Sequence, residues 1–313
     1  MKYILYGAGA VGLNLLRNIG SNKVAFFCDG KKHGEKLEGI EIIAPEKLIE
    51  IYNEYIVVIA VEKSEAVKQI TRWLENNKIS WISVLEALKN EGIDTDNVKH
   101  DAELGYWKKS FGANDRNTID QYYRELIMNI GDMKDDIFWN DIIVADFGCG
   151  PRGSLTWIKN ARERIGIDVI AKEYLNEFGQ NMISHNMIYV ASNEKFIPIP
   201  SGYVDCLVTI NSLDHVSDLR TMCSEIRRIL KPDGMLLGSF NLFEPATECE
   251  PQTLTENNLR ELLLFDFEID EYRLSEVNEK DAYMNAKNRK YVEKPDGSVP
   301  CVLWVKGRKK IDI

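Results

Sequence analysis

The sequence predicts an α/β protein of two domains, each built on a mainly parallel sheet. Apolar runs of strand length alternate with helically spaced apolar residues along most of the 313 residues, which is typical of repeated strand–helix–strand units. A glycine-rich turn follows the first apolar run of each half, at 7–12 and at 148–153. The length also suits two domains, since a domain typically has about 100–200 residues.

Composition excludes some partner classes. The chain carries 39 basic and 49 acidic side chains, a net charge of −10, which disfavours a nucleic-acid backbone or an anionic membrane as the main partner. The longest apolar runs, such as 55–61, fall far short of the roughly 18–20 residues that span a bilayer. The apolar segment among the first residues is too short to be the hydrophobic region of a signal peptide, so we expect a cytoplasmic protein. Six scattered cysteines predict free thiols and no metal site.

The elements of the first half follow from periodicity and breakers. Residues 30–39 are polar and punctuated by glycine, which predicts a loop. The expected strands are 2–6, 24–28, 55–61 and 79–84, and the expected helices are 11–19, 45–52, 64–76 and 85–89.

The second half repeats the alternation without repeating the sequence. Periodicity stops in the polar segment 90–101, where we place the domain boundary, and 103–136 is helical and rich in aromatic residues. The polar stretch 278–298 before a last strand predicts a terminal antiparallel hairpin. The expected strands are 142–146, 164–168, 187–190, 204–210, 235–241 and 301–306.

The first glycine turn has the spacing of a dinucleotide-binding turn. Gly7, Gly9 and Gly12 allow a tight turn, close approach of a phosphate and helix packing, and Asp29 ends the next strand, where an acid binds ribose hydroxyls. Alternatively, the glycines serve packing alone. Residues 1–92 contain no Tyr-x-x-x-Lys pair that would support hydride transfer, so the sequence does not favour an oxidoreductase.

The stretch that follows this turn, FFCDGKKHGEKLEGIEIIAPEKL, resembles the small N-terminal nucleotide domains of bacterial sugar-modifying proteins. The resemblance covers about residues 1–88. It implies a Rossmann-like domain that binds NAD or a nucleotide sugar, without choosing between them.

The second turn, Asp146-Phe147-Gly148-Cys149-Gly150, resembles motif I of the class I S-adenosylmethionine-dependent methyltransferases. Further landmarks of that family occur in order at Asp168, 194–205, 211–216 and 230–234. The resemblance implies two Rossmann-like domains in all, the second with the seven-stranded methyltransferase sheet and S-adenosylmethionine as its cofactor. Two departures are a third glycine one residue late, at Gly153, and Ser192 where the family has an acid that contacts adenine.

The resemblance also implies roles for individual residues. Gly148 and Gly150 let the backbone reach the methionine part of the cofactor, and Asp146 fixes that loop or the amino group. Asp168 accepts the ribose hydroxyls, since a carboxylate can accept two hydrogen bonds at once. The remaining cofactor contacts are expected from Val169 on adenine, Asn193 or the backbone in place of the missing acid, Glu194 beside it, Asn211 on the amino group, and Tyr106 with Trp107 as a cap or as plain packing.

His215 follows the fourth strand of this sheet and is the best candidate for a general base, although it can equally be structural. Asp214 is a second candidate, or a helix N-cap. We therefore expect a methyltransferase acting on a small molecule, and the resemblance of residues 1–88 suggests a sugar or a cell-surface glycan precursor. The alternative is a non-catalytic nucleotide-binding sensor or scaffold. The expected division is a nucleotide domain at 1–92, a linker with cap helices at 93–140, and a methyltransferase domain at 141–313; the sequence does not give the oligomeric state.

Overall fold

The computed structural model describes most of the chain, namely residues 1–61, 64–113, 115–247, 249–276 and 300–311. The chain divides into two compact units, 1–99 with 245–251, and 100–244 with 252–313. The functional division inferred from the sequence stays a prediction. In the described part of the chain, no helix combines the length and apolar character needed to cross a bilayer.

The first unit contains a six-stranded sheet in the order β3-β4-β2-β1-β5-β6, parallel except for the β3–β4 pair. Its strands are β1 Lys2–Tyr6, β2 Val24–Cys28, β3 Lys36–Leu37, β4 Ile40–Ile43, β5 Tyr55–Ile59 and β6 Trp81–Ser83. Its helices are α1 Ala10–Ile19, α2 Pro45–Ile51, α3 Ser64–Asn76 and α4 Val84–Asn90. The predicted mainly parallel sheet is confirmed. Helices α1 and α4 pack on one of its faces, and α2 and α3 pack on the other.

One prediction for this unit is wrong. Strand β3 lies inside the segment 30–39 that was expected to be a loop, and β4 follows it directly. Strand β4 has four residues and gives no clear periodic signal. It is stabilised instead by parallel pairing with β2, where Phe27 lies opposite Ile42. Tertiary pairing overrides weak local propensity here.

The second unit contains a seven-stranded sheet among its described residues, in the order β12-β13-β11-β10-β7-β8-β9. Its strands are β7 Ile143–Phe147, β8 Glu163–Asp168, β9 Ile188–Ala191, β10 Val204–Ile210, β11 Leu230–Leu242, β12 Phe267–Glu276 and β13 Cys301–Lys309. The remaining helices are α5 Thr95–Ser110, α6 Arg116–Ile130, α7 Ala171–Ser184, α8 Leu219–Ile229 and α9 Glu256–Leu262. Six of these strands run in one direction, and β13, which lies between β11 and β12, is antiparallel to both. The seven-stranded sheet that the resemblance implied is confirmed.

The predicted terminal hairpin is confirmed as the β12–β13 pair, although its polar connection, 278–298, lies outside the described residues. The landmark 230–234, which the resemblance implied to be the turn before the fifth strand, is instead part of β11. Leu230 already pairs with Val204, and the register then jumps to Met235 opposite Cys206. The Pro-Asp-Gly segment is thus an irregularity within the strand rather than a linker before it.

The helices that cover the two faces of this sheet leave the carboxyl ends of its parallel strands uncovered. Helix α6 packs on one face, where Leu126 and Ile127 belong to the same buried cluster as Val144 and Val208. Helices α8 and α9 pack on the other face. Both layers leave the carboxyl ends of β7, β8, β9 and β10 along one edge, which is where open α/β sheets bind ligands.

Candidate functional site

The second glycine turn is bonded to the neighbouring strand β8. The N–H groups of Gly148 and Cys149 donate to the carbonyl of Ile167 at 2.9 and 3.2 Å. The N–H of Gly150 donates to Oδ2 of Asp168 at 3.0 Å. Two features predicted separately from the sequence, the glycine turn and the acid that ends the second strand, therefore form one site.

Three glycines of this turn have left-handed backbone conformations, with φ of +74° at Gly148, +54° at Gly150 and +72° at Gly153. A Cβ at Gly148 would lie 2.2 Å from the Cβ of Ser212, and one at Gly153 would lie 2.6 Å from Nδ1 of His185. Both conformation and space therefore require glycine at these positions. The glycine that comes one residue late against the family pattern is needed where this chain places it.

Asp146 lies next to the last residue of β7. Its carboxylate is buried, and one of the two oxygens accepts a hydrogen bond. The Ser154 hydroxyl donates to Oδ2, which fastens the far end of the turn to the strand, whereas Oδ1 is buried and has no partner among the described residues. Burial raises the pKa of Asp146 to about 7, and the Ser154 hydrogen bond only partly opposes this. An uncompensated acceptor in this position suits a ligand that donates hydrogen bonds or carries positive charge.

Asp168 is the second buried carboxylate, only 6% exposed. Besides the Gly150 donor, it accepts the N–H of Ile170 on Oδ1 at 3.1 Å. Burial and, next, the charge of Glu103 raise its pKa. A carboxylate has about four acceptor positions, so Asp168 retains the capacity to bind hydroxyl groups.

Glu103 was not recognised from the sequence as a site residue. It lies on α5, accepts the Tyr174 hydroxyl at 3.0 Å and acts electrostatically on Asp168. Val169 is half-buried and packs in a small apolar cluster with Ile170 and Tyr174. A lone Glu on a helix of weak periodicity has no sequence signal that would set it apart.

Of the two aromatic residues predicted as a cap, the structure places Trp107 against the turn. Its Cζ2 atom lies 2.8 Å from where a Cβ of Gly150 would be. The Arg152 guanidinium lies 5.1 Å from the Trp107 ring centroid and donates to the carbonyl of Ser110 at 2.5 Å. Tyr106 is 62% exposed and meets Trp107 edge-on, so its placement does not support the predicted capping role.

The end of β9 carries three residues with different environments. The Asn193 side chain is exposed, and its Oδ1 accepts the N–H of Lys195 at 2.8 Å. Glu194 accepts the N–H of Ser217 at 2.9 Å, which ties this loop to the one after β10. Ser192 is buried, and its hydroxyl has no partner among the described residues. The exposed side chain of Asn193 therefore does not favour its predicted contact with adenine. The neighbouring Ser192 is the residue with a buried hydroxyl that has no partner among the described residues.

The segment after β10 contributes Asn211, which has a left-handed φ of +47°. Its N–H donates to the Ser239 carbonyl at 3.0 Å, and its side-chain oxygen is buried without a partner among the described residues. His215 is half-buried, and its backbone N–H donates to Ser212 at 3.3 Å. The suggestion that Asp214 caps α8 is wrong, because Asp218 is the N-cap and accepts the N–H of Thr221.

The first glycine turn has the geometry expected of its spacing. Gly7 has φ of +127°, and a Cβ there would lie 2.3 Å from the Ala60 carbonyl oxygen. A Cβ on Gly12 would lie 2.1 Å from the Gly7 carbonyl oxygen, whereas one on Gly9 meets nothing within 4 Å. Gly9 is the N-cap of α1 and offers no side-chain cap to its N–H groups. The second glycine is thus the one that packing does not require.

Asp29 is already engaged by its own backbone surroundings. Its carboxylate accepts the N–H groups of Ala8 at 3.2 Å, Lys31 at 2.8 Å and Lys32 at 3.2 Å. Burial opposes ionisation of Asp29, but these three donors outweigh it and hold its pKa below the usual range. The Lys32 ammonium donates to the Ala8 carbonyl at 2.8 Å. This acid therefore shapes the turn, and a role in binding ribose stays a prediction.

The comparison with family models locates one match, within the second unit. A family model described as a methyltransferase domain matches residues 145–238. Human NDUFAF5, a mitochondrial arginine-hydroxylase, is 30% identical over 127 residues, which are 39% of this chain and 35% of that protein. The ubiquinone/menaquinone biosynthesis C-methyltransferase UbiE of Edwardsiella ictaluri is 35% identical over 68 residues, 22% of this chain and 26% of that protein. The chain thus spans well under half the length of these curated relatives.

Among solved structures, the 1,6-didemethyltoxoflavin-N1-methyltransferase of Burkholderia thailandensis, determined with S-adenosylhomocysteine, is similar at 14% identity with a TM-score of 0.44. The match covers 69% of this chain and 89% of that one. The turn that contains Asp146, Gly148 and Gly150 and the acid Asp168 both lie within residues 145–238, which the family model matches. Residues 145–238 thus match a methyltransferase domain, and in this chain they contain β8, β9 and β10 with parts of β7 and β11.

Proposed function

We propose that the second unit binds S-adenosylmethionine and transfers its methyl group to a small molecule. The observation that carries this proposal is the hydrogen bond between the Gly150 N–H and the Asp168 carboxylate. It joins the glycine turn to the acid of the next strand at the carboxyl edge of the sheet. The match of 145–238 to the methyltransferase domain family supports the same conclusion.

The residues present fit this cofactor. Oδ1 of Asp146 and the side-chain oxygen of Asn211 are buried acceptors without partners among the described residues, which suits the amino group of a methionine moiety. In this proposal Asp168 accepts the ribose hydroxyls, and Val169, which packs in the neighbouring apolar cluster, contacts the adenine. The cofactor supplies an electrophilic methyl group on a cationic sulfur, and the protein's part is to bind, orient and exclude water.

On the acceptor side, we assign His215 as the general base that removes a proton from the acceptor group. The side chain is half-buried directly after β10, and a histidine is well matched to proton transfer near neutral pH. We further propose a sugar or glycan precursor as the acceptor, in the cytoplasm, on the resemblance of residues 1–88. His215→Ala should lower the methyl-transfer rate by about 100-fold or more and leave cofactor binding within about threefold, whereas a structural His215 would affect both.

The experiment that tests the function is a calorimetric titration with S-adenosylhomocysteine. We expect one micromolar site, weakened at least 30-fold in Asp168→Ala. Absence of binding to well-folded protein would reject the proposal. Binding without methyl transfer to any member of a sugar and nucleotide-sugar panel would favour the alternative of a non-catalytic sensor or scaffold.

A hydroxylase is a second candidate, because similarity to the NDUFAF5 arginine-hydroxylases extends over 127–147 residues. Mass spectrometry of a modified acceptor separates the two reactions, since methylation replaces a hydrogen by a methyl group and hydroxylation inserts an oxygen atom. A gain of about 14 Da supports methyl transfer, and a gain of about 16 Da supports hydroxylation, as follows from the difference in the transferred group.

For the first unit we propose a nucleotide ligand, NAD or a nucleotide sugar, at the turn that contains Gly9. The uncapped N–H groups at the start of α1 support an anionic group there. Titration with NAD and with a uridine diphosphate sugar tests this. Gly9→Asp should abolish binding of either, because it places a negative charge beside the phosphate position, and unchanged binding would reject the assignment.

A further inference from the structure

We infer that the Ser192 hydroxyl contacts position 6 of the cofactor's purine, and that this makes the site tolerant of an oxo group where adenine has an amino group. The inference rests on the proposed cofactor binding and assigns a specificity-determining residue within that site. It starts from one observation. Ser192 is only 9% exposed, yet its hydroxyl has no hydrogen-bond partner among the described residues.

The position of Ser192 follows from the order of strands. Strands β7, β8 and β9 are consecutive neighbours, spaced about 4.8 Å apart. The glycine turn lies at the end of β7 and Asp168 at the end of β8. The Ser192 N–H donates to the Asp168 carbonyl at 3.1 Å, so Ser192 lies one strand beyond the ribose acid. A nucleoside whose ribose is held at Asp168 and whose 5′ side faces the turn extends its base toward β9.

The adjacent residues do not provide this contact. The Asn193 side chain is exposed and is used to cap the N–H of Lys195. Glu194 is engaged with the Ser217 N–H at 2.9 Å, and its Oε1 lies 3.6 Å from Nε2 of His100. Ser192 is therefore the polar side chain at the end of β9 that is both buried and without a partner in the described part of the chain.

The chemistry of the hydroxyl sets the specificity. A carboxylate can only accept a hydrogen bond, so it selects an amino group at position 6 over an oxo group. A hydroxyl donates one hydrogen bond and accepts others, so it can accept from an amino group and donate to an oxo oxygen. The serine thus removes a preference that an acid at this position would impose.

The test is calorimetric titration with two probes, S-adenosyl-L-homocysteine and S-inosyl-L-homocysteine, which carry an amino or an oxo group at position 6. The oxo purine also carries a proton on N1, so the change in the ratio of the two dissociation constants between wild type and the Ser192 variants isolates the contact at position 6. We expect dissociation constants within about fivefold of each other for the wild-type protein. Ser192→Ala should weaken both by about three- to tenfold, the usual effect of losing one hydrogen bond. Ser192→Asp should restore a preference of at least tenfold for the adenosyl probe. Ser184→Ala, an exposed serine on α7, is the matched control and should change neither.

A thermal melt of the ligand-free Ser192→Ala protein provides an independent readout. Removing a buried hydroxyl that has no partner should leave the melting temperature unchanged or raise it, whereas a structural role would lower it. If the wild-type protein binds neither probe, the cofactor proposal itself fails. If the adenosyl probe binds but the inosyl probe binds more than 30-fold more weakly, or Ser192→Ala binds the adenosyl probe as well as wild type does, the assignment of Ser192 is overturned while the cofactor site stands.

Discussion

Asp146→Asn is expected to stabilise the ligand-free protein above pH 7 and to weaken cofactor binding at the same time. The wild-type carboxylate is buried, with a single hydrogen bond from Ser154 and an oxygen that has no partner among the described residues. A buried carboxylate of this kind lowers the folding stability of the ligand-free protein. The proposed function explains its presence, because the carboxylate would bind the positively charged amino group of the cofactor. Asn keeps the shape and the acceptor for Ser154 but removes the charge.

The magnitude follows from the pKa of Asp146, which burial raises from 3.8 to about 7. The folded state then retains a proton that the unfolded chain has already released, so stability falls as the pH rises from about 4 to 7 and levels off above that. Three pKa units correspond to a loss of about 4 kcal/mol. The asparagine amide leaves a buried donor without an acceptor, at a cost of about 1–3 kcal/mol. The net gain at pH 8 is therefore about 1–3 kcal/mol, or roughly 2–10 °C in Tm.

Thermal melts at pH 5 and pH 8 measure this effect, and calorimetry with S-adenosylhomocysteine measures binding, which should weaken at least tenfold. The control is Asp141→Asn, because Asp141 is 80% exposed in an ion pair with Arg162 and its loss should change Tm by no more than about 1–2 °C. The reasoning is refuted if Asp146→Asn lowers the melting temperature at pH 8. It is also refuted if the change in melting temperature between pH 5 and pH 8 is the same in the variant as in wild type.

Three further outcomes are expected. Gly148→Ala should destabilise the protein by about 3 kcal/mol or more, because left-handed strain costs about 1–2 kcal/mol and the new Cβ displaces Ser212. Gly9→Ala has open space around it and should cost less than about 1 kcal/mol. Equal losses of stability for the two variants in urea unfolding would contradict this. Trp107→Ala should weaken S-adenosylhomocysteine binding about tenfold by uncovering the turn, and a calorimetric affinity unchanged from wild type would exclude the role. Burial holds the pKa of His185 at about 4, so stability should fall as the pH drops from about 6.5 to 4, and His185→Gln should flatten that part of the stability profile.

The sequence by itself determined the features that depend on local spacing. The strands 2–6, 24–28 and 204–210 and the helix 64–76 were located to the residue, because apolar periodicity and glycine turns act over a few positions. The seven strands of the second sheet were implied by the family resemblance that Asp146, Gly148 and Asp168 support. Such landmarks are readable because each is a short motif with a fixed chemical purpose.

Only the tertiary structure decided which side chains face the site. Trp107 rather than Tyr106 meets the glycine turn, Asp218 rather than Asp214 caps α8, and Ser192 rather than Asn193 is buried at the end of β9. Neighbouring residues of this kind have the same sequence context and differ in the direction their side chains take. That direction is set by packing between elements far apart in the chain, and so is the burial that changes the pKa of Asp146. A local pattern contains no information about either.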